Sequence, residues 1–218
     1  MFDQVEGGVM RVVFDLDGTL IDSAPDLARV ANELLAEYDR APLSEARVRG
    51  FIGEGVPKLV TRVAEAADLP LTEAVIERYR VLYRADPLVL TRPYPGVAGA
   101  LEALAERGAT MAICTNKPEA PTRDILDRLG WAGFFDTVVG GDTLAVRKPD
   151  PEPLRQAING AARESVHFVG DSEVDGATGA AAGVRFLLYT EGYRKGPVEA
   201  IPHDVRFSDF GVLGDLLG

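Results

Sequence analysis

Five short runs of β-branched and aliphatic residues constrain this chain most: "MRVVF" (10–14), "TMAIC" (110–114), "TVVG" (137–140), "VHFVG" (166–170) and "VRFLL" (184–188). Continuous apolar runs of this length predict strands buried on both faces, since half-exposed strands alternate apolar with polar. Segments of helical period lie between the later runs, such as "GVAGALEALAERG" and "EAPTRDILDRLG", each closed by a glycine suited to a helix C-terminus. Strand and helix in alternation predict an α/β fold, a doubly wound parallel sheet of Rossmann-like type with helices on both faces.

The first two runs break this rhythm. Residues 15–109, 95 in all, separate them, where a direct crossover needs only about a dozen. The intervening "APDLARVANELLAEY", "GVPKLVTRVAEAADL" and "TEAVIERYRVLYRAD" carry apolar residues at spacings of three and four, as at Leu27, Val30, Ala31, Leu34 and Leu35. The predicted organisation is a core of residues 1–22 and 89–218 with an inserted all-helical domain at 23–88, the chain returning through "TRPYPG" (91–96).

Composition narrows the partners. Thirty-four acidic against 23 basic residues give a net charge of −11, a field that repels nucleic acid and anionic membrane, so an anionic substrate needs local positive charge. No apolar run approaches the roughly 18 residues of a membrane span. A single cysteine, Cys114, fits a reducing compartment and a cytoplasmic protein. The first ten residues hold Asp3 and Glu6 and lack both a basic start and a long apolar stretch, so they do not read as a signal peptide.

Polar residues gather where the apolar runs end, the position at which open α/β sheets bind ligands. Asp15 and Asp17 follow the first run in "VVFDLDGTLIDS". Two close carboxylates are stable only with a proton between them or a cation beside them; an isolated D-x-D-G also fits a turn or a helix cap. Thr115 and Asn116 follow the second run, a hydroxyl and an amide at the start of a helix that Asn116 could also cap. Asp171 follows the fourth run and Ser172-x-x-Asp175 has capping-box spacing, while Lys148 precedes "PDPEP". Carboxylates from separate strand ends suit Mg²⁺. Ser23-Ala-Pro-Asp26 also reads as a capping box, starting the first helix of the insert, with Asp22 as a hinge or cap residue before it. His167, His203, Cys114 and Trp131 read as structural.

The ordered set "DLDGTL", "TN", "KP" and "GDSEVD", each in place relative to a strand, resembles the haloacid dehalogenase superfamily of phosphotransferases across essentially the whole chain. The helical insert after the first motif is similar to that of members with an all-helical cap, and "FIGEGVPKLV", "YPGV", "TNKPEAPTRDIL" and "EGY" look most like the phosphoglycolate phosphatase branch. The resemblance implies a Mg²⁺-dependent phosphatase of a small phosphorylated metabolite, working as a monomer or homodimer. Asp15 is then the nucleophile and Asp17 the general acid and base. Asp15, the backbone carbonyl of Asp17, and Asp171 hold the metal, supported by Asp175, while Thr115, Asn116 and Lys148 bind the phosphoryl oxygens. A cap loop containing Gly53, Glu54, Gly55 and Lys58 sets specificity, with Arg49 or Lys58 meeting a second anionic group. A β-phosphoglucomutase-like isomerase and an inorganic pyrophosphatase are the alternatives on the same core.

Overall fold

The structure, a computed structural model, describes residues 9–218; the reading of the first ten residues therefore falls almost wholly outside it. Six strands form one parallel sheet: β1 (Arg11–Phe14), β4 (Thr110–Cys114), β5 (Phe135–Val139), β6 (Val166–Gly170), β7 (Arg185–Tyr189) and β8 (Val205–Phe207), in the order β5-β4-β1-β6-β7-β8. The central strand β1 pairs with β4 on one side and β6 on the other, Phe14 standing opposite both Ile113 and Val169. The expected parallel sheet is present, and β8 extends it beyond the five strands read from sequence.

Alternation along each strand feeds two cores. Val12 and Phe14 join Leu101 and Leu104 of α5 (Val97–Glu106), Ile125 of α6 (Glu119–Arg128) and Leu213 of α9 (Leu213–Leu217). Val13 points the other way, with Cys114, Phe168 and Phe186, against Leu154 and Ala157 of α7 (Glu152–Ile158), while α8 (Glu173–Ala182) sits Gly179 on Phe186. Helices therefore cover both faces, which is why strand residues such as Val13 and Phe14 are fully buried.

Between β1 and β4 the chain forms α1 (Ala24–Glu37), α2 (Glu45–Arg49), α3 (Val56–Ala66) and α4 (Glu73–Ala85). Leu27, Val30, Ala31, Leu34 and Leu35 of α1 are all buried, in an apolar cluster that gathers these helices and one outside residue, Tyr193. Each of the leucine and valine side chains contributes about 1.5–3 kcal/mol by leaving water. The segment's two ends lie side by side in a short antiparallel ribbon, β2 (Ile21–Asp22) with β3 (Arg92–Pro93), which the sequence reading lacked.

The expected capping box at Ser23 and Asp26 is not formed. Ser23 makes no side-chain cap; its hydroxyl donates to Asp17 Oδ1 at 2.6 Å. Asp26 instead accepts at 2.8 Å from the Leu90 and Thr91 amides and from the Thr91 hydroxyl. The two residues at capping-box spacing are thus drawn apart, one towards the sheet and the other to a latch that joins the entry of the helical segment to its exit. Among the described residues no helix is long and apolar enough to cross a membrane.

Candidate active site

Because β1 lies between β4 and β6, the polar residues that follow these three strands meet at one edge of the sheet. Asp15, Thr115 and Asp171 each begin where a strand stops, and the loop after β5 brings in Lys148. Its ammonium is buried, 3.0 Å from Asp15 Oδ1 and 2.6 Å from Asp175 Oδ1.

Asp175 is held from the other side too. Its Oδ2 accepts from the Ser172 hydroxyl at 2.6 Å and from the Ser172 and Asp171 amides at 3.1 and 3.2 Å. The capping box read at Ser172 and Asp175 is therefore present, and it aims the free oxygen of Asp175 at Lys148. Asp171 is fixed by the Thr19 hydroxyl at 2.8 Å and the Tyr193 amide at 2.6 Å. Gly18, with φ +90°, lets the backbone pass so close to Asp171 that a Cβ would lie 2.5 Å from its Oδ2.

One carboxylate oxygen from each of Asp15, Asp171 and Asp175 lies within 4.8 Å of the others, and all three residues are buried. Burial pushes the Asp15 carboxyl up to about 6 against the opposing pull of Lys148. Burial, with the neighbouring Asp175 and Asp15, raises Asp171 well above the usual range. Lys148 is held above its ordinary value, the attraction of Asp15 and Asp175 overcoming the cost of burial. Three buried carboxylates facing one ammonium form a hard-oxygen donor set short of positive charge, which fits a divalent cation such as Mg²⁺.

Asp17 has a different environment. Lys117 Nζ lies 2.8 and 2.9 Å from its two oxygens, and the same ammonium stands 4.7 Å from the ring centre of Tyr83 on α4. The sequence reading passed over Lys117 because lysines are rarely buried. Its only signal was its place directly after Thr115 and Asn116 and before Pro118. Tyr193 was also missed as a site residue: beyond its amide, its hydroxyl donates to Asp22 at 2.6 Å and accepts from the Ser23 and Ala24 amides at 2.7 and 2.9 Å.

The loop before α3 covers the site. Asn116 Nδ2 donates at 3.0 Å to both the Gly53 and Lys148 carbonyls, so it ties this loop to the lysine loop. It does not cap α6; Asp142 does, accepting from the Glu119 amide at 2.7 Å. Gly55 takes φ +86°, and a Cβ there would approach the Asn116 carbonyl oxygen to 3.2 Å. Gly53 and Gly55 line a cavity of about 40 Å³ with Asp15, Asp17, Thr115 and Lys117.

The charged residues expected nearby do not line this cavity. Glu54 pairs with Arg62, and Lys58 is exposed and does not line the cavity. Arg49 binds Asp22 at 3.1 Å and Glu45 at 3.0 Å with its guanidinium over the Tyr193 ring. Neither Arg49 nor Lys58 lines the cavity. Cys114 lies beneath the site, its thiol pushed up to about 12 by burial, which suits packing rather than nucleophilic chemistry. His167 is buried in β6 and His203 bonds the Ile201 carbonyl, both away from this cluster.

The chain is similar to known proteins in sequence and fold. The profile of the haloacid dehalogenase-like hydrolases matches residues 12–189. A phosphoglycolate phosphatase of Cereibacter sphaeroides is 50% identical over 210 residues, covering 94% of this chain and 96% of that one. One from Rhodospirillum rubrum is 46% identical over 95% of this chain and 90% of its own. The crystal structure of a predicted phosphoglycolate phosphatase from Haemophilus somnus superposes with a TM-score of 0.90 at 31% identity, over 96% of this chain and 98% of that one. On the family match, the parallel sheet and the residues gathered at its edge, the chain belongs to the haloacid dehalogenase-like hydrolases.

Proposed function

We propose that this hydrolase is a Mg²⁺-dependent phosphatase of 2-phosphoglycolate that forms a phosphoryl intermediate on Asp15, with residues 23–88 acting as a cap. The observation that carries the reading is the meeting of Asp15, Asp171 and Lys148 at adjacent strand ends, with Lys148 3.0 Å from Asp15. The substrate is taken from the names of the relatives at 50% and 46% identity.

Asp15 attacks phosphorus, and the ester oxygen leaves as the phosphoryl group passes to its carboxylate. Asp17 gives the leaving glycolate its proton and then takes one from the water that attacks the phosphoryl group, releasing inorganic phosphate and Asp15. Lys148, the Thr115 hydroxyl and nearby backbone amides, that of Asn116 among them, bind the phosphoryl oxygens throughout, as donors already in place before charge moves. Asp15, Asp171 and the Asp17 carbonyl would hold Mg²⁺, which when bound supplies positive charge between an anionic nucleophile and an anionic ester. The Asn116 to Gly53 hydrogen bond closes the cap loop on the core and excludes bulk water. The single buried Cys114 and the charge of −11 support a cytoplasmic enzyme that acts on a small metabolite and not on nucleic acid.

Phosphate release from 2-phosphoglycolate, glucose phosphates, nucleotides and pyrophosphate in Mg²⁺ tests the reading. Fastest release from 2-phosphoglycolate is expected. Release from none of them overturns it, as does conversion of β-glucose 1-phosphate to glucose 6-phosphate faster than phosphate appears.

A further inference from the structure

The cavity has two features that phosphoryl transfer leaves unused. Lys117 is the one ammonium or guanidinium among the described residues that line it. An ammonium has three N–H donors; two are directed to the Asp17 oxygens, at 2.8 and 2.9 Å, so one remains. Tyr83 also lines the cavity, only 2% exposed, and its hydroxyl has no hydrogen-bond partner among the described residues. A buried hydroxyl left unpaired costs about 1–3 kcal/mol, so a ligand group that satisfies it is strongly favoured. The Lys117 ammonium stands 4.7 Å from the centre of the Tyr83 ring, so the two residues are neighbours in the cavity lining.

We infer that Lys117 and Tyr83 form the receptor for the carboxylate of the substrate, so that a core lysine and a cap tyrosine select a phosphate ester bearing a second anionic group. This role replaces the one expected of Arg49 and Lys58. The third Lys117 N–H and the Tyr83 O–H donate to the carboxylate oxygens while Lys148 serves the phosphoryl end. Since Lys117 also holds Asp17, one side chain both recognises the distal anion and orients the Asp17 carboxyl group that gives its proton to the leaving oxygen. Tyr83 belongs to α4, so its contribution exists only with the cap closed, and the distal anion contributes to that closure.

The inference rests on the proposed substrate, and the experiment separates the two. Release of phosphate from 2-phosphoglycolate is compared with release from ethyl phosphate, which has the same two-carbon chain without the carboxylate, for wild type, Tyr83→Phe and Lys117→Met. The ratio of the two kcat/KM values within one preparation does not depend on how much of a variant is folded. In Tyr83→Phe this ratio is expected to fall about tenfold or more, as for a lost hydrogen bond to a charged group, mainly through a higher KM for 2-phosphoglycolate. Lys117→Met lowers the same ratio further. A ratio unchanged in both variants, with the two substrates losing activity in parallel, overturns the receptor. A wild type with no preference for 2-phosphoglycolate over ethyl phosphate overturns the substrate reading itself, before any variant is compared.

Discussion

Lys148 Nζ donates to Asp175 Oδ1 at 2.6 Å, closer than its 3.0 Å approach to Asp15. Lys148 is thus held mainly by a residue whose other oxygen closes the capping box of α8. This arrangement couples the start of a helix to the charge of the site.

Asp175→Ala removes the cap and one partner of a buried ion pair together. Lys148 keeps Asp15 as a partner at 3.0 Å, so the expected cost is that of a lost hydrogen bond to a charged group, about 1.5–3 kcal/mol, and a lost cap adds about 1 kcal/mol. Urea unfolding is expected to show a loss of that size, with phosphate release falling as Lys148 loses its anchor. A stability within 1 kcal/mol of wild type, about the worth of the cap alone, contradicts this role.

Asp26 gives a pH-dependent prediction. Burial acts to raise its carboxyl, but hydrogen bonds from Thr91, Arg29 and Leu90 outweigh that and lower it below 3.8. A folded value below the unfolded one contributes stability that is complete above the unfolded value and is lost as pH falls through the folded one. Asp26→Asn keeps an acceptor oxygen but loses the charge that these donors and Arg29 meet, so it is expected to destabilise near neutral pH by about 1.5–3 kcal/mol, and by less in acid below 3.8. Urea midpoints across that range check it; a deficit that stays constant down to the most acidic sample counts against the latch.

Asp15 has the opposite sign. Its folded value of about 6 lies above the ordinary 3.8, so metal-free protein is favoured by protonation at low pH and loses that stability as pH rises through about 6. A bound cation offsets the loss. Adding Mg²⁺ to EDTA-treated protein at about pH 7.5 is expected to raise Tm, a saturating excess of about 100 Kd being worth about 2.7 kcal/mol. The shift shrinks near pH 5 and disappears in Asp171→Asn. An equal shift in that variant means the cation binds elsewhere.

Much of the architecture was legible because strands such as Val166–Gly170 are largely apolar without alternation, and this pattern belongs to a sheet covered on both faces. β8 was hidden because it has three residues with one buried, and the β2–β3 ribbon because each strand has two residues. The gathering of Asp15, Thr115 and Asp171 could be read because each directly follows an apolar run. Spacing misled at Ser23 and Asp26, where the pattern of a capping box serves a long-range latch to Thr91. Local sequence carries no signal for such a partner. Asn116 and Asp142 show the same limit, the α6 cap being supplied by a residue 23 positions from the helix start. Lys117 and Tyr83 meet only through tertiary packing of the helical segment on the sheet.

The most direct test of the account is phosphate release from 2-phosphoglycolate in Mg²⁺ by wild type and by Asp15→Asn. The account predicts turnover by wild type and a loss of at least roughly 100-fold in the variant, the size expected for removal of a group that reacts with substrate. Asp15→Asn protein with activity within a few-fold of wild type would contradict it.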